Sequence, residues 1–115
     1  MINALEKIIA DKKSNMEKYK NSFSVEDLKK RISSYKNYLN FKDKLKKNEV
    51  SVIAEIKKAS PSAGIIVKNY DPKAIAKQYL NSGASCLSIL TEENYFKGKL
   101  EDIDEIGRAS CRERV

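Results

Sequence analysis

The chain has 115 residues, enough for one domain of ordinary size, and its 41% apolar and 34% charged composition excludes wholesale disorder. No apolar run approaches the roughly 20 residues of a membrane span, and Ile8-Ile9-Ala10 is too short and too charged in its flanks for a secretory signal, so a cytoplasmic protein is expected. The net charge of +7 is gathered at one end, with thirteen basic and seven acidic residues in 1–50 against ten and nine in 51–115. Acids interleave with that N-terminal excess, and no arginine-rich block or aromatic stacking platform accompanies it, so a solvated helical face is favoured over a nucleic-acid surface. Histidine is absent, and the two cysteines, Cys86 in an apolar run and Cys111 in a charged tail, lack both metal-ligand spacing and disulfide density. A zinc site or a histidine-based triad has no material here.

From Ile2 to about Lys20, Leu5, Ile8, Ile9, Met16 and Tyr19 recur at helical spacing among Lys and Glu, which predicts an amphipathic helix. Ser24-Val25-Glu26-Asp27 predicts a second helix. Ser24 is its cap, Asp27 stands three residues on as in a capping box, and Leu28 and Ile32 lie on its apolar face. The segment Tyr35 to Leu45, with Tyr38, Leu39 and Phe41, is compatible with a further turn or two of helix.

Val52-Ile53-Ala54-Glu55-Ile56 is an apolar run that ends in charge at Lys57-Lys58. On a strand, side chains alternate, so Ile53, Glu55 and Lys57 share one face while Ala54 and Ile56 share the other. Glu55 and Lys57 are then neighbours, roughly 6.5 to 7 Å apart along the strand axis. Taken alone, these residues favour an edge strand with a solvated ion pair; on the inner face of a barrel, both groups would sit at its C-terminal mouth.

Ser60-Pro61-Ser62-Ala63-Gly64 reads as an irregular loop that cannot continue a ladder. Asp71-Pro72 starts a helix, as cap and first helical residue, with Ile75, Ala76, Tyr79 and Leu80 as its buried stripe and Gly83 at its C-terminal cap. Ser85 to Thr91 is a second short strand whose length suits burial on both faces. Glu92 to Gly98 is a polar loop with two aromatics, and Leu100, Ile103 and Ile106 repeat every three residues through an acidic helix. The strand-helix-strand spacing has the length of a right-handed βαβ crossover, which makes the strands parallel and the parent fold an open α/β sheet or a (β/α)₈ barrel. A dinucleotide fold is disfavoured because no Gly-x-Gly-x-x-Gly follows the first strand.

Two strand ends read together carry more than either alone: Ala54-Glu55-Ile56-Lys57-Lys58-Ala59-Ser60-Pro61-Ser62-Ala63-Gly64, and Leu87-Ser88-Ile89-Leu90-Thr91-Glu92-Glu93-Asn94-Tyr95-Phe96-Lys97-Gly98. They closely resemble the first and second strand-loop segments of the indole-3-glycerol phosphate synthase family, in the same order and at a fitting separation. The Asp71-Pro72 helix start and the Leu5-Glu6-Lys7-Ile8-Ile9-Ala10 opening resemble that family too, and the resemblance covers about residues 1–106. It implies an α/β chain forming the N-terminal portion of a (β/α)₈ TIM barrel. Residues 1–48 would be a helical extension and 49–106 the first two βα units, so that about two of the eight strands are present.

The family implies closure of the indole ring of 1-(2-carboxyphenylamino)-1-deoxyribulose 5-phosphate, with loss of carbon dioxide and water, in tryptophan biosynthesis. It implies a phosphorylated small-molecule substrate and no metal or organic cofactor; a nucleic-acid or membrane partner is not expected, and the oligomeric state is left open. Carried over by position, Lys57 is a catalytic cation that can act as general acid during dehydration, and Glu55 orients it and serves as base or hydrogen-bond acceptor. Ser60 and Ser62 match serines of the family's mobile first loop, and Phe96 matches an aromatic that walls the substrate pocket. For the serines a turn-forming role outweighs substrate contact, and for Phe96 packing within its own loop is an equal alternative.

The family's third strand, ending in a Lys-Asp-Phe motif, does not follow Ile106. Residues 107–115 are atypical and read as a non-native tail, with a divergent natural helix end as the alternative. The expectation is a truncated, inactive fragment of the enzyme. Two other readings are a small basic nucleic-acid-binding module, and another phosphate-binding barrel such as phosphoribosylanthranilate isomerase, against which stands the lack of an early cysteine placed as that family's base.

Overall fold

The computed structural model describes residues 3–36 and 38–109, the side chains of 108 and 109 excepted. Ile2, where the first helix was expected to begin, and most of the 107–115 tail with Cys111 lie outside the described residues. The chain divides into two compact units at Tyr38/Leu39.

The first unit is helical. Helix α1 (Ala4–Ser22) opens on a capping box that the sequence reading missed: the Asn3 side chain accepts the Glu6 N–H at 2.8 Å, and Glu6 Oε2 accepts the Asn3 N–H at 3.2 Å. Helix α2 (Val25–Ser34) opens on the expected one, with Asp27 N–H donating to Ser24 Oγ at 3.0 Å. Neither helix fully buries a residue, although Leu5, Ile9, Met16, Leu28 and Ile32 fall at helical spacing. Periodicity marks which side chains can be buried together; burial itself requires a surface to meet. Helix α2 stops at Tyr35, whose extended backbone sets its ring edge-on to Tyr38 at 4.9 Å, and the Tyr38 hydroxyl donates to the Ile32 carbonyl at 3.3 Å. Of the helix considered for Tyr35–Leu45, which spans the boundary between the units, only a 3₁₀ turn at Lys42–Lys44 in the second unit forms among the described residues, with Asn40 Oδ1 accepting the Asp43 N–H at 3.2 Å. A short amide side chain that binds nearby backbone in this way competes with helix propagation.

The second unit is a parallel βαβ arrangement. Strand β1 (Ile53–Ile56) is followed by β2 (Ala59–Ser60), β3 (Gly64–Ile65), helix α3 (Pro72–Asn81), β4 (Cys86–Ile89) and helix α4 (Glu101–Ala109). Strands β1 and β4 pair in parallel with Ile53 opposite Cys86, Ala54 opposite Leu87, Glu55 opposite Ser88 and Ile56 opposite Ile89. Opposed residues of a parallel pair point to the same side, so Ala54, Ile56, Leu87 and Ile89 form one face and Ile53, Glu55, Cys86 and Ser88 the other. The first face meets α3: Ile56 and Ala76 are fully buried, and Tyr70, Ile75, Tyr79, Leu87, Ile89 and Ile106 pack around them.

Helix α3 is bounded as its sequence predicts. Asp71 Oδ1 accepts the Ala74 N–H at 3.2 Å, and Pro72 occupies the first helical position. At its end Gly83 takes φ +94°, the Gly83 N–H reaches the Leu80 carbonyl at 3.1 Å, and the Ala84 N–H reaches that of Tyr79 at 3.0 Å. These are the two bonds of a Schellman cap, which needs a left-handed residue where Gly83 stands.

One expectation is corrected here. The Ser60–Gly64 loop closes a small antiparallel hairpin, with Ala59 opposite Ile65 and Ser60 opposite Gly64, so Pro61 sits at its tip rather than ending all pairing. In α4 the side chains turned inward are Asp102 and Ile106, both 3% exposed, while Leu100 and Ile103 lie at the surface. A three-residue spacing drifts about 60° per step around a helix of 3.6 residues per turn, whereas positions four apart stay within about 40°. Asp102 is kept inside by function at the helix start, where its carboxylate accepts the Lys99 N–H at 3.1 Å.

Candidate active site

The residues of interest gather at the C-terminal ends of β1 and β4. Glu55 points away from α3, and Lys57, one residue beyond the end of β1, returns to the same side. The Lys57 Nζ lies 3.0 Å from Glu55 Oε1. The second carboxylate oxygen, Oε2, accepts the Ser88 hydroxyl from the opposed position on β4 at 3.2 Å. Behind the strand the Tyr79 hydroxyl of α3 donates to the Glu55 main-chain carbonyl at 2.9 Å, tying the strand end to the helix that covers it. Glu55 is thus held at side chain and backbone by different elements.

The loop after β4 supplies the third wall. The Phe96 ring centroid is 5.7 Å from the Lys57 Nζ, within cation–π range. Lys57 therefore touches a carboxylate on one side and an aromatic face on the other, and a primary ammonium has three protons to donate. The side chains of Lys57 and Glu55 are 34% and 45% exposed, so the pair is open to a ligand and adds little to stability. Among the described residues no cluster of three or more Asp, Glu, Cys or His side chains is placed to hold a metal ion, and no helix is long and apolar enough to cross a membrane.

Ser60 and Ser62 belong to the hairpin. Their hydroxyls are 3.5 Å apart, and Ser60 Oγ also accepts the Ala63 N–H at 3.1 Å, a turn-forming bond. No hydrogen bond among the described residues joins them to the Glu55–Lys57 pair. Of the five positions singled out in the sequence, three therefore meet directly and two stand together on the neighbouring turn. Sequence reasoning gave Ser88, Tyr79 and Glu92 no part in the site. Ser88 was the polar residue in the second apolar strand, and its meeting with Glu55 follows once the register is known. Glu92 organises its loop through three main-chain N–H groups, from Asn94, Tyr95 and Phe96, at 2.8, 2.7 and 3.0 Å.

A model of the family described as indole-3-glycerol phosphate synthase matches residues 5–114. The chain belongs to that family. Curated relatives named indole-3-glycerol phosphate synthase include the protein of Acaryochloris marina, 43% identical over 109 residues, which make up 93% of this chain and 36% of the relative. Those of Clostridium acetobutylicum and Acetivibrio thermocellus are each 43% identical, over 86% and 82% of this chain and 38% and 37% of their own lengths. The chain thus spans a little over a third of the length of the relatives it matches. The indole-3-glycerol phosphate synthase family accounts for the architecture: the parallel β1–α3–β4 unit with α4 is the N-terminal portion of a (β/α)₈ barrel.

Proposed function

We propose that this chain carries the first two strand ends of an indole-3-glycerol phosphate synthase active site, with Glu55 and Lys57 catalytic and Ser60, Ser62 and Phe96 binding the substrate. The substrate is 1-(2-carboxyphenylamino)-1-deoxyribulose 5-phosphate. Ring closure joins the carboxylate-bearing aromatic carbon to the ribulose carbonyl carbon, carbon dioxide leaves, and the hydroxyl derived from that carbonyl departs as water. Lys57 donates to that oxygen, first stabilising its developing negative charge and then protonating it as it leaves. Glu55 holds the ammonium charged and in place, and accepts a proton or hydrogen bond in the dehydration step. Phe96 offers a flat apolar surface beside the aminobenzoate ring, and the Ser60–Ser62 turn donates to polar groups of the ribulose. The reaction so drawn requires no metal or organic cofactor, and a cytoplasmic location belongs to the same proposal.

The single observation that carries this reading is the 3.0 Å Glu55–Lys57 pair, half-exposed at the C-terminal end of a parallel strand with an aromatic ring against the ammonium. Strand ends of this kind are where α/β barrels do their chemistry. Two strand ends do not make a closed phosphate site, so the 115 residues by themselves neither hold the phosphate nor close the ring; indole-3-glycerol phosphate formed by the purified chain would contradict this. The direct test replaces the matching segment of the Clostridium acetobutylicum relative with residues 1–106 of this chain and measures product formation. Activity in the chimera and a loss of at least about 100-fold in Lys57→Met are expected. A folded but inactive chimera, or a Lys57→Met chimera within threefold of its parent, overturns the proposal.

A further inference from the structure

Six residues separate the end of β4 from Phe96, none of them in a helix or strand, yet Phe96 is set against a particular atom, Lys57 Nζ. A loop of this length holds one side chain in place only where its backbone is closed by other bonds. Here the closure comes from one residue. Glu92 Oε1 accepts the Asn94 N–H at 2.8 Å, and Oε2 accepts the N–H groups of Tyr95 and Phe96 at 2.7 and 3.0 Å. The Glu92 main-chain carbonyl also accepts the Gly98 N–H at 2.9 Å. Three successive amides converging on one anion form a nest, and a carboxylate with two oxygens can serve all three only from one position. The chain beyond the nest is equally constrained. Lys97 adopts φ +59°, and Gly98 packs so tightly on the Leu90 carbonyl that a Cβ there would collide with it.

We infer that Glu92 is a positioning residue: its carboxylate gathers the Asn94, Tyr95 and Phe96 amides and so fixes the Phe96 ring against the Lys57 ammonium. Its catalytic meaning rests on the proposed roles of Lys57 and Phe96. The geometry does not, and it can be tested without turnover. Glu92 itself does not need to reach the substrate, because it acts through the backbone of the residue it sets in place. A neutral amide cannot replace it, since Gln would turn an NH₂ group toward an N–H donor.

The test is NMR on the purified, isotope-labelled chain, reading the Lys57 ε-methylene resonances, which sense the ring current of Phe96. Phe96→Leu defines the position of those resonances without the ring. Glu92→Gln is expected to move them at least half-way to the Phe96→Leu position while the β1 and β4 amide pattern is retained. Independently of any variant, the Tyr95 and Phe96 amides of the unaltered chain are expected to exchange at least tenfold more slowly than the Glu93 amide, which keeps the inference testable if Glu92→Gln does not fold. Unmoved Lys57 resonances in folded Glu92→Gln, no difference between Phe96→Leu and the unaltered chain, or equal exchange at residues 93, 95 and 96 would each overturn it. The chimera measures whether Lys57 is catalytic, and these resonances measure whether Glu92 places Phe96, so the two can fail separately.

Discussion

Neutralising Lys57 or Glu55 separates a catalytic pair from an ornamental one, because the two predict opposite magnitudes for stability and activity. At 3.0 Å two unit charges in bulk water attract by about 1.4 kcal/mol. The side chains are 34% and 45% exposed, so ionic screening and the entropy of holding a long lysine reduce the net coupling to about 0.2–1 kcal/mol. A double-mutant cycle of Lys57→Met, Glu55→Gln and the pair, followed by urea unfolding, should therefore return a coupling below about 1 kcal/mol. A positioned general acid contributes about 10²–10⁴-fold to rate, or about 2.7–5.5 kcal/mol of barrier. In the chimera with a full-length relative, the same substitutions should cost at least about 100-fold in kcat, with KM moving far less. A coupling above about 2 kcal/mol combined with a kcat change under tenfold would refute the reasoning and make the pair a structural staple.

Three further outcomes follow from the packing. Gly98→Ala places a Cβ against main-chain atoms, with the Leu90 carbonyl carbon 2.8 Å away and Thr91 Cα at 3.0 Å, so the loop must shift; a loss of about 1–3 kcal/mol is expected in urea unfolding, with the Phe96 contact to Lys57 lost. Asp71→Ala removes the acceptor of the Ala74 N–H at the start of α3 and should cost about 0.5–2 kcal/mol, while Asp71→Ser retains most of the stability. Among the described residues the buried Tyr70 hydroxyl has no hydrogen-bond partner, and burial, with Asp102 nearby, raises its pKa above the ordinary 10.0. Tyrosine is neutral below its pKa, so a raised folded value gives stability that is complete below about pH 10 and is lost as the pH climbs through it. Tyr70→Phe is accordingly neutral or stabilising at pH 7, and it should flatten the alkaline decline in melting temperature; a clear loss of stability at pH 7 would mean the hydroxyl has a partner.

The parts of the fold legible in the sequence are those fixed by local chemistry. Ser24 and Asp27, Asp71 and Pro72, and Gly83 announce helix boundaries because capping is decided within four residues. The parallel pairing of β1 and β4 follows from the length of the crossover between them. What escaped, the Asn3–Glu6 capping box apart, depends on packing, register or backbone conformation. The inward turn of Asp102 is set by the Lys99 amide and the seat available beside α3, which the three-residue apolar spacing of α4 does not show. Ser88 joins Glu55 only through register, and the Glu92 nest is a backbone conformation with no residue pattern of its own. The hairpin hidden in Ser60–Gly64 had a signal in Pro61 and Gly64, which mark a turn without saying that its flanks will pair.

The same two-sided strand explains why the charged pair sits where it does. Ile56 is fully buried against α3, so the alternation of β1 forces Glu55 to the opposite side, and no rotation of the strand can turn Glu55 toward α3 without exposing Ile56. Burying an isoleucine is worth about 1.5–3 kcal/mol, more than the net coupling of the exposed ion pair. Hydrophobic register therefore aims the carboxylate, and the carboxylate then holds the lysine. Ser88 follows by the same rule on β4, where Leu87 and Ile89 take the helix side. Phe96 is the exception, since it lies beyond the last strand residue and no register reaches it. A polar device of its own, the Glu92 carboxylate bound to three amides, is the physical substitute for a strand at that position.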